Sequence, residues 1–134
     1  SKVFTIEDNY LLGLQQPQTT NFKGTVLFLI DGLTFSTAAD FCAIAKSNRR
    51  GKFIGEETAG GYYGNTSGQT VRIELPHSKL MMTIPRFNYG LAVRKSRYAD
   101  RGVMPEYKVV PSIKEVLEAQ DVQLQYALQL MDKI

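Results

Sequence analysis

The hydrophobic pattern changes its period within the first half of the chain. An unbroken apolar run, GTVLFLID, spans residues 24–31. Without polar alternation, it predicts a strand buried on both faces, as in a parallel sheet with helices on each side. The following apolar positions recur at helical spacing: Phe35, Ala38, Ala39, Cys42 and Ala45. This spacing predicts a helix that starts at Ser36 and ends at the basic segment SNRRG. A short strand, KFIGEE, completes a β-α-β unit, whose crossover should be right-handed.

The second half of the chain carries three further patterns. A glycine-rich loop, TAGGYYGNTSG, leads into two segments with strand character, QTVRIELP and SKLMMTIP, which predict an antiparallel hairpin. The segment ADRGVMPEYKVVPS is predicted to be extended, because its two prolines are incompatible with a helix. A short helix, SIKEVLEAQ, and a last helix capped by Asp121 follow. We therefore predict one α/β domain over residues 1–134, with residues 1–23 as a poorly defined lead-in.

Composition narrows the function classes. The chain has 134 residues, 43% of them hydrophobic and 22% charged, which is typical of a globular domain. No apolar run approaches the roughly 20 residues of a membrane span. The net charge is +3, and the basic cluster RKSRYADR is interpreted as a solvated loop, so no nucleic-acid partner is expected. One cysteine excludes an internal disulfide and a multi-cysteine zinc site, and one histidine argues against a multi-histidine metal site, so no metal and no cofactor are expected.

Ser36 lies where the strand pattern gives way to the helix pattern, and two interpretations of it stay open. Serine is a favoured N-cap, so Ser36 or Thr34 would serve to cap the helix. Alternatively, a serine just beyond a buried strand is exposed at the carboxyl edge of the sheet, where α/β proteins place their sites. The helix N-terminus favours negative charge, so the amide of Thr37 would help to stabilise an oxyanion.

Four blocks of the sequence occur in an informative order: GTVLFLIDGLTFSTAADF, GKFIGEETAGGYYGNTSG, IELPHSKLMMTIP and RGVMPEYKV. Together they resemble the tail-specific, or carboxyl-terminal processing, protease family, in the branch with tricorn-core-like and interphotoreceptor-retinoid-binding-like members. The resemblance covers residues 24–134. It implies an α/β sandwich of the crotonase and Clp-protease type, and it aligns Ser36 with a nucleophile that hydrolyses peptide bonds through an acyl-enzyme.

The same resemblance assigns the remaining candidate residues. Gly60, Gly61 and Tyr62 would border the substrate cleft, and Thr37 would supply a backbone oxyanion amide. Asp100 is the nearest match to an acidic supporting group that precedes the Gly-Val-x-Pro motif. The alternative for Asp100 is a loop aspartate paired with Arg101 or Arg97.

The general base is where this sequence departs from the family. The lysine of the bacterial processing branch falls at Gly61, so a Ser–Lys dyad is absent. Nothing in the pattern favours Lys52 as a replacement, and His77 lies in a predicted hairpin turn. In the tricorn-like branch the base is a histidine well before the nucleophile. We therefore expect the base to come from an upstream part of the same protein or from a partner subunit, and the isolated chain to be inactive or nearly so.

Two other functions remain as alternatives. A non-catalytic ligand- or peptide-binding module would share the fold and needs no base. An acyl-thioester-handling crotonase relative would bind coenzyme A through backbone amides rather than through Ser36. For the protease, the substrate would be a peptide or protein, and the resemblance implies a location in the bacterial cell envelope.

Overall fold

A three-stranded parallel sheet organises the molecule. The computed structural model describes residues 16–98 and 100–133; most of the predicted lead-in, residues 1–15, lies outside this range. The sheet has the order β1-β2-β7 and consists of β1 (Leu27–Ile30), β2 (Lys52–Gly55) and β7 (Tyr107–Lys108). Helix α1 (Thr37–Ser47) connects β1 to β2, so the predicted β-α-β unit is confirmed.

Two small antiparallel ladders follow the β-α-β unit. Strands β3 (Gly64–Asn65) and β6 (Tyr89–Gly90) pair with each other, and they enclose the hairpin of β4 (Thr70–Glu74) and β5 (Met81–Pro85). The hairpin confirms the predicted one, with shorter strands. Pairs such as Val71 with Ile84 place the apolar side chains of both strands on one face.

Two helices close the described chain. Helix α2 (Ile113–Leu117) begins with a capping box between Ser112 and Glu115. Helix α3 (Val122–Met131) begins at Asp121, whose carboxylate accepts a hydrogen bond from the Leu124 amide at 2.9 Å, as predicted. Helix α3 packs against β1 and β2. The mixture of helices and small sheets is compatible with the α/β class.

The core lies between α1 and the sheet. Phe53 is fully buried and stacks on Phe28, with 4.6 Å between ring centroids, and Cys42 and Ala43 of α1 complete the cluster. Ile54, the next residue of β2, is also fully buried. Since successive strand residues face opposite sides, it lies on the other face of the sheet from Phe53.

One expectation about burial is wrong. The run of residues 24–31 was predicted to be buried on both faces, but Leu29 is 41% exposed. From outside the β-α-β unit, the short helix α3 packs on β1. One helix of this length is too small to cover a whole sheet face, so Leu29 stays partly open.

Candidate active site

A tight turn leads the chain from β1 to Ser36. The Asp31 carboxylate accepts the Leu33 amide at 2.9 Å, and the Thr34 amide donates to the Asp31 carbonyl at 3.0 Å. The Asp31 amide in turn donates to the Thr34 hydroxyl at 3.1 Å. An aspartate that binds backbone groups a few residues ahead is a common way of fixing such turns. The turn therefore delivers Ser36 to the carboxyl edge of the sheet.

Ser36 has a strained backbone and a hydroxyl that does not cap. Its φ is 54° and its ψ is −136°, a region that costs a non-glycine residue on the order of 1–3 kcal/mol. Its carbonyl accepts the Asp40 amide at 3.0 Å, so its backbone takes the N-cap position. Its side chain, however, makes no capping hydrogen bond to the described helix. The capping interpretation is thus wrong for the hydroxyl, which lies on an exposed residue.

Thr37 is the first residue of α1 and is exposed. The first amides of a helix have no intrahelical acceptor, and they lie at the positive end of the helix dipole. The Thr37 amide and the Ser36 hydroxyl are therefore neighbours at one helix end. This end of the helix favours an atom that gains negative charge.

The glycine loop, residues 60–64, lies directly against Ser36. The Gly60 amide donates to the Thr34 carbonyl at 3.2 Å. A Cβ atom on Gly60 would lie 2.3 Å from the Ala39 Cβ and 3.3 Å from the Ser36 nitrogen. Real Cβ atoms do not approach another carbon this closely, so only glycine allows the loop to reach this position. Gly60 is therefore placed beside Ser36, and Gly61 follows it in the loop.

Of the other two candidate residues, Tyr62 is buried and Asp100 is exposed. Tyr62 is 6% exposed and belongs to the core cluster, so little of its ring is available to a substrate. Asp100 is exposed and has a left-handed backbone, with a φ of 60°. The alternative pairing of Asp100 with Arg101 is not seen, since the guanidinium of Arg101 binds Glu57 instead.

Hydrogen bonds join the segment GEETAGG, residues 55–61, to the Gly-Val-x-Pro-Glu motif, residues 102–106, and to the arginine before it. Arg101 Nε donates to Glu57 Oε1 at 2.8 Å, and the Gly102 amide donates to the same oxygen at 2.9 Å. Next along the chain, the Val103 amide donates to the Thr58 hydroxyl at 2.8 Å. The hydrogen bond from Arg101, helped by the Gly102 amide, lowers the pKa of Glu57 from 4.5 to about 2. These motif residues build the support of the glycine loop.

A cluster that the sequence did not reveal lies one helical turn after Ser36. The Asp40 carboxylate accepts hydrogen bonds from Asn65 Nδ2 at 3.1 Å and from the Tyr89 hydroxyl at 2.9 Å. The position of Asp40, four residues after Ser36 on a helix, was a usable signal that the two lie on one face. Its partners were not predictable, because they come from strands of only two residues each.

The internal candidates for a base lie in other parts of the fold. Lys52 opens β2, whereas the strand ends at Gly55, beside Ile30 of β1. Three residues of strand span about 10 Å, so Lys52 is at the opposite edge of the sheet from Ser36. His77 is exposed in the turn that joins β4 and β5. Within residues 16–98 and 100–133, the Ser36 hydroxyl has no lysine or histidine hydrogen-bonded to it.

Two cavities open on the surface beside the joined motifs. The larger, of about 530 Å³, is lined by Tyr62, Lys95 and Arg97 among others. The smaller, of about 320 Å³, is lined by Glu57 and Arg101 among others. Ser36 lines neither of them. In the part of the chain that the structure describes, no three His, Cys, Asp or Glu side chains come together as a metal site requires. None of the described helices is long and apolar enough to cross a membrane.

Comparison with known proteins adds one finding. The sequence profile of Peptidase family S41 matches residues 5–109. The matched segment includes Ser36, the glycine loop and the Gly-Val-x-Pro-Glu motif. No curated protein matches the chain.

Proposed function

The chain belongs to peptidase family S41, and we propose that it is the nucleophile-bearing, C-terminal portion of a serine endopeptidase of the tail-specific type. Residues 1–134 would then form one part of a larger peptidase domain with the crotonase and Clp-protease type of sandwich. The family membership supports a peptidase, and hence a peptide or protein substrate. One observation carries the proposal: Ser36 at the start of α1 is exposed and has a strained backbone, and its hydroxyl does not cap the helix.

Ser36 would act by acyl transfer. Its Oγ attacks the carbonyl carbon of a peptide bond while a base takes the hydroxyl proton. The C–N bond then breaks, and the departing amine receives that proton. Water hydrolyses the resulting ester and returns Ser36 to its starting state. In the first step the carbonyl oxygen becomes negative, and the amide of Thr37 would stabilise this oxyanion from the helix N-terminus.

The strain at Ser36 has a chemical consequence. Nucleophilic residues are often held in unfavourable backbone conformations, because a sharp strand-to-helix turn projects the side chain clear of its neighbours. A simple N-cap serine has an extended backbone and binds an amide of the first turn. Ser36 does neither, which favours the nucleophile over the cap. In this proposal Gly60 and Gly61 border the cleft together with the small exposed part of Tyr62, and Asp100 is a weaker supporting group.

The base would come from outside the chain, either from an upstream segment of the same protein or from a partner subunit. The positions of Lys52 at the far edge of the sheet and of His77 in the hairpin turn support this proposal. We also propose a location in the bacterial cell envelope, on the strength of the family resemblance.

A binding module of the same fold is the second candidate. It is favoured by one observation, namely that no described lysine or histidine is hydrogen-bonded to the Ser36 hydroxyl. A serine without a base remains a weak nucleophile. Such a module would hold a peptide or another ligand beside the glycine loop without cleaving it.

Labelling with a fluorophosphonate serine probe separates the candidates. The probe is applied to this chain and to a longer form of the protein with its native upstream residues, with Ser36→Ala as the control in each. We expect labelling of the longer form only, abolished by Ser36→Ala. Labelling of both forms would place the base within these residues. Absence of labelling in both would reject the peptidase and favour the binding module.

A further inference from the structure

The carboxylate of Asp40 is held by both strands of one ladder. Asn65 Nδ2 donates to its two oxygens at 3.1 and 3.4 Å, and the Tyr89 hydroxyl donates at 2.9 Å. Asn65 and Tyr89 are direct partners in the pairing of β3 with β6. The two donors therefore approach Asp40 from adjacent strands. We call these three residues the Asp40 clamp.

The orientation of the Asn65 amide is fixed from its other end. The Ser67 amide donates to Asn65 Oδ1 at 2.9 Å, and the Ser67 hydroxyl donates to the same oxygen. With its oxygen engaged in this way, the Asn65 NH₂ group must face Asp40, where only an acceptor is compatible with it. The Asp40 carboxylate in the first turn of the helix is such an acceptor, and the helix dipole favours negative charge at this position.

The Asp40 clamp connects the nucleophile's helix to the cleft wall. The Asp40 amide donates to the Ser36 carbonyl at 3.0 Å, so the clamp stands one turn from the nucleophile. Asn65 directly follows the glycine loop, whose other end is held by the Gly60 amide on the Thr34 carbonyl at 3.2 Å. The loop is thus attached at both ends to the segment that carries Ser36. Without the clamp, the loop would keep its Gly60 hydrogen bond to that segment and the bond from the Tyr62 amide to the Arg101 carbonyl at 2.9 Å, but it would lose the attachment at its Asn65 end.

We propose that Asp40 is a positioning residue, whose carboxylate clamps the β3–β6 ladder to the first turn of α1 and so fixes the glycine loop against Ser36. This inference rests on the proposed peptidase function. Asp40 takes no proton in it and touches no reacting atom. Its effect is on geometry, and a displacement of about 1 Å at a reacting centre can cost on the order of 100-fold in rate.

The test compares two tyrosine variants in the longer form of the protein. Tyr89→Phe removes one hydrogen bond of the clamp. Tyr98→Phe is the matched control, because Tyr98 lies outside the glycine loop and is similarly exposed, at 36% against 38% for Tyr89, and its hydroxyl accepts from Arg97 rather than binding Asp40. The readouts are the rate of fluorophosphonate labelling at Ser36, kcat and KM on a peptide substrate, and amide hydrogen exchange of residues 60–65.

We expect Tyr89→Phe to slow labelling by about tenfold and to lower kcat by a similar factor, with KM changed less than about twofold. Exchange in residues 60–65 should become faster, and Tyr98→Phe should match the wild type. In an Asp40→Asn background, Tyr89→Phe should have almost no additional effect, because the two changes remove one shared interaction. Labelling and exchange unchanged in Tyr89→Phe, or changed equally in Tyr98→Phe, would overturn the proposal.

Failure of the peptidase itself gives a different result. In that case the wild-type protein is not labelled at Ser36, whatever the state of Asp40. Hydrogen exchange then decides on the clamp alone: faster exchange of residues 60–65 in Tyr89→Phe, but not in Tyr98→Phe, supports it, and equal exchange rejects it. Since Tyr89→Phe removes only a hydroxyl from a partly exposed side chain, it should fold even if Asp40→Asn does not.

Discussion

Glu57 shows how a single side chain can hold two motifs together. Its carboxylate receives the Arg101 guanidinium and the Gly102 amide, and these contacts lower its pKa from 4.5 to about 2. A carboxylate with a depressed pKa in the folded state stabilises the fold at pH values above its unfolded pKa. That contribution is lost as the pH falls through the folded value. Glu57 should therefore matter to stability at neutral pH and lose its effect between about pH 4.5 and 2.

The substitution Glu57→Gln tests this pH dependence. Because a quarter of the Glu57 side chain is exposed, solvent screening reduces the effect, and we expect a loss of about 1–2 kcal/mol of unfolding free energy at pH 7. The difference from wild type should shrink as the pH falls from 4.5 towards 2. Urea unfolding at pH 7 and at pH 3 measures it. The neighbouring Glu56→Gln is the control, and an unchanged difference at the two pH values would contradict the assignment.

At the scale of elements, Glu106 lies just before β7 and connects this part of the chain to β2 and α1. Its Oε2 accepts the Phe53 amide of β2 at 2.8 Å, and its Oε1 accepts Lys46 Nζ of α1 at 2.6 Å. Its own amide donates to the Phe53 carbonyl at 2.9 Å. Lys46 also donates to the Met104 carbonyl at 2.8 Å. The Gly-Val-x-Pro-Glu motif thus has a structural role at this end, where it anchors the edge of the sheet to the crossover helix.

Two substitutions of Glu106 separate its interactions. Glu106→Ala removes both and leaves the Phe53 amide without its acceptor, so we expect a loss of about 1–3 kcal/mol. Glu106→Gln retains an oxygen for that amide and loses only the charge towards Lys46, so it should cost about 1 kcal/mol or less. Urea unfolding of both variants at pH 7 measures the two losses of unfolding free energy. Equal losses in the two variants would mean that the amide hydrogen bond contributes nothing.

Features held by residues close together in the sequence were predictable, whereas those held by residues far apart in the sequence were not. The β-α-β unit, the hairpin and the Asp121 cap were predictable, since each depends on a local period or on a residue at a helix start. The Asp40 clamp was not, because it joins residues 25 and 49 positions apart through very short strands. The left-handed φ of Ser36 was equally hidden, since serine has no intrinsic preference for it.

Amphipathic patterns were a poorer guide to burial than to secondary structure. The last helix was predicted with an apolar stripe of Leu124, Ala127, Leu128 and Met131. Ala127 alone among them is buried, while Leu128 is 54% exposed. The stripe indicates which face of a helix is apolar, but its burial needs a neighbouring layer. Strands β1 and β2 supply that layer for part of α3.

At the scale of the whole molecule, stability is distributed unevenly. Phe53, Ile54 and Val103 are fully buried around the parallel sheet. The apolar face of the β4–β5 hairpin is open by comparison, with Ile84 38% exposed and Val71 43% exposed. Segments with few buried contacts open locally at a lower free energy than the rest of a protein. The hairpin should therefore unfold more easily than the β-α-β unit that holds Ser36.

A pair of isoleucine substitutions tests this distribution. Ile54→Ala creates a cavity in the sheet and should cost about 2–5 kcal/mol, whereas Ile84→Ala on the hairpin should cost about 1 kcal/mol or less. Both remove the same atoms, so the difference reports their surroundings. Urea unfolding gives the two free energies, and hydrogen exchange should show faster amides in residues 70–85 than in β2 in the wild type. An equal cost of the two changes would mean that the hairpin packs as firmly as the sheet. A large cost of Ile84→Ala alone would mean that the hairpin, rather than the parallel sheet, is the more firmly packed part of the molecule. The rigid support of Ser36 would then have to come from the hairpin.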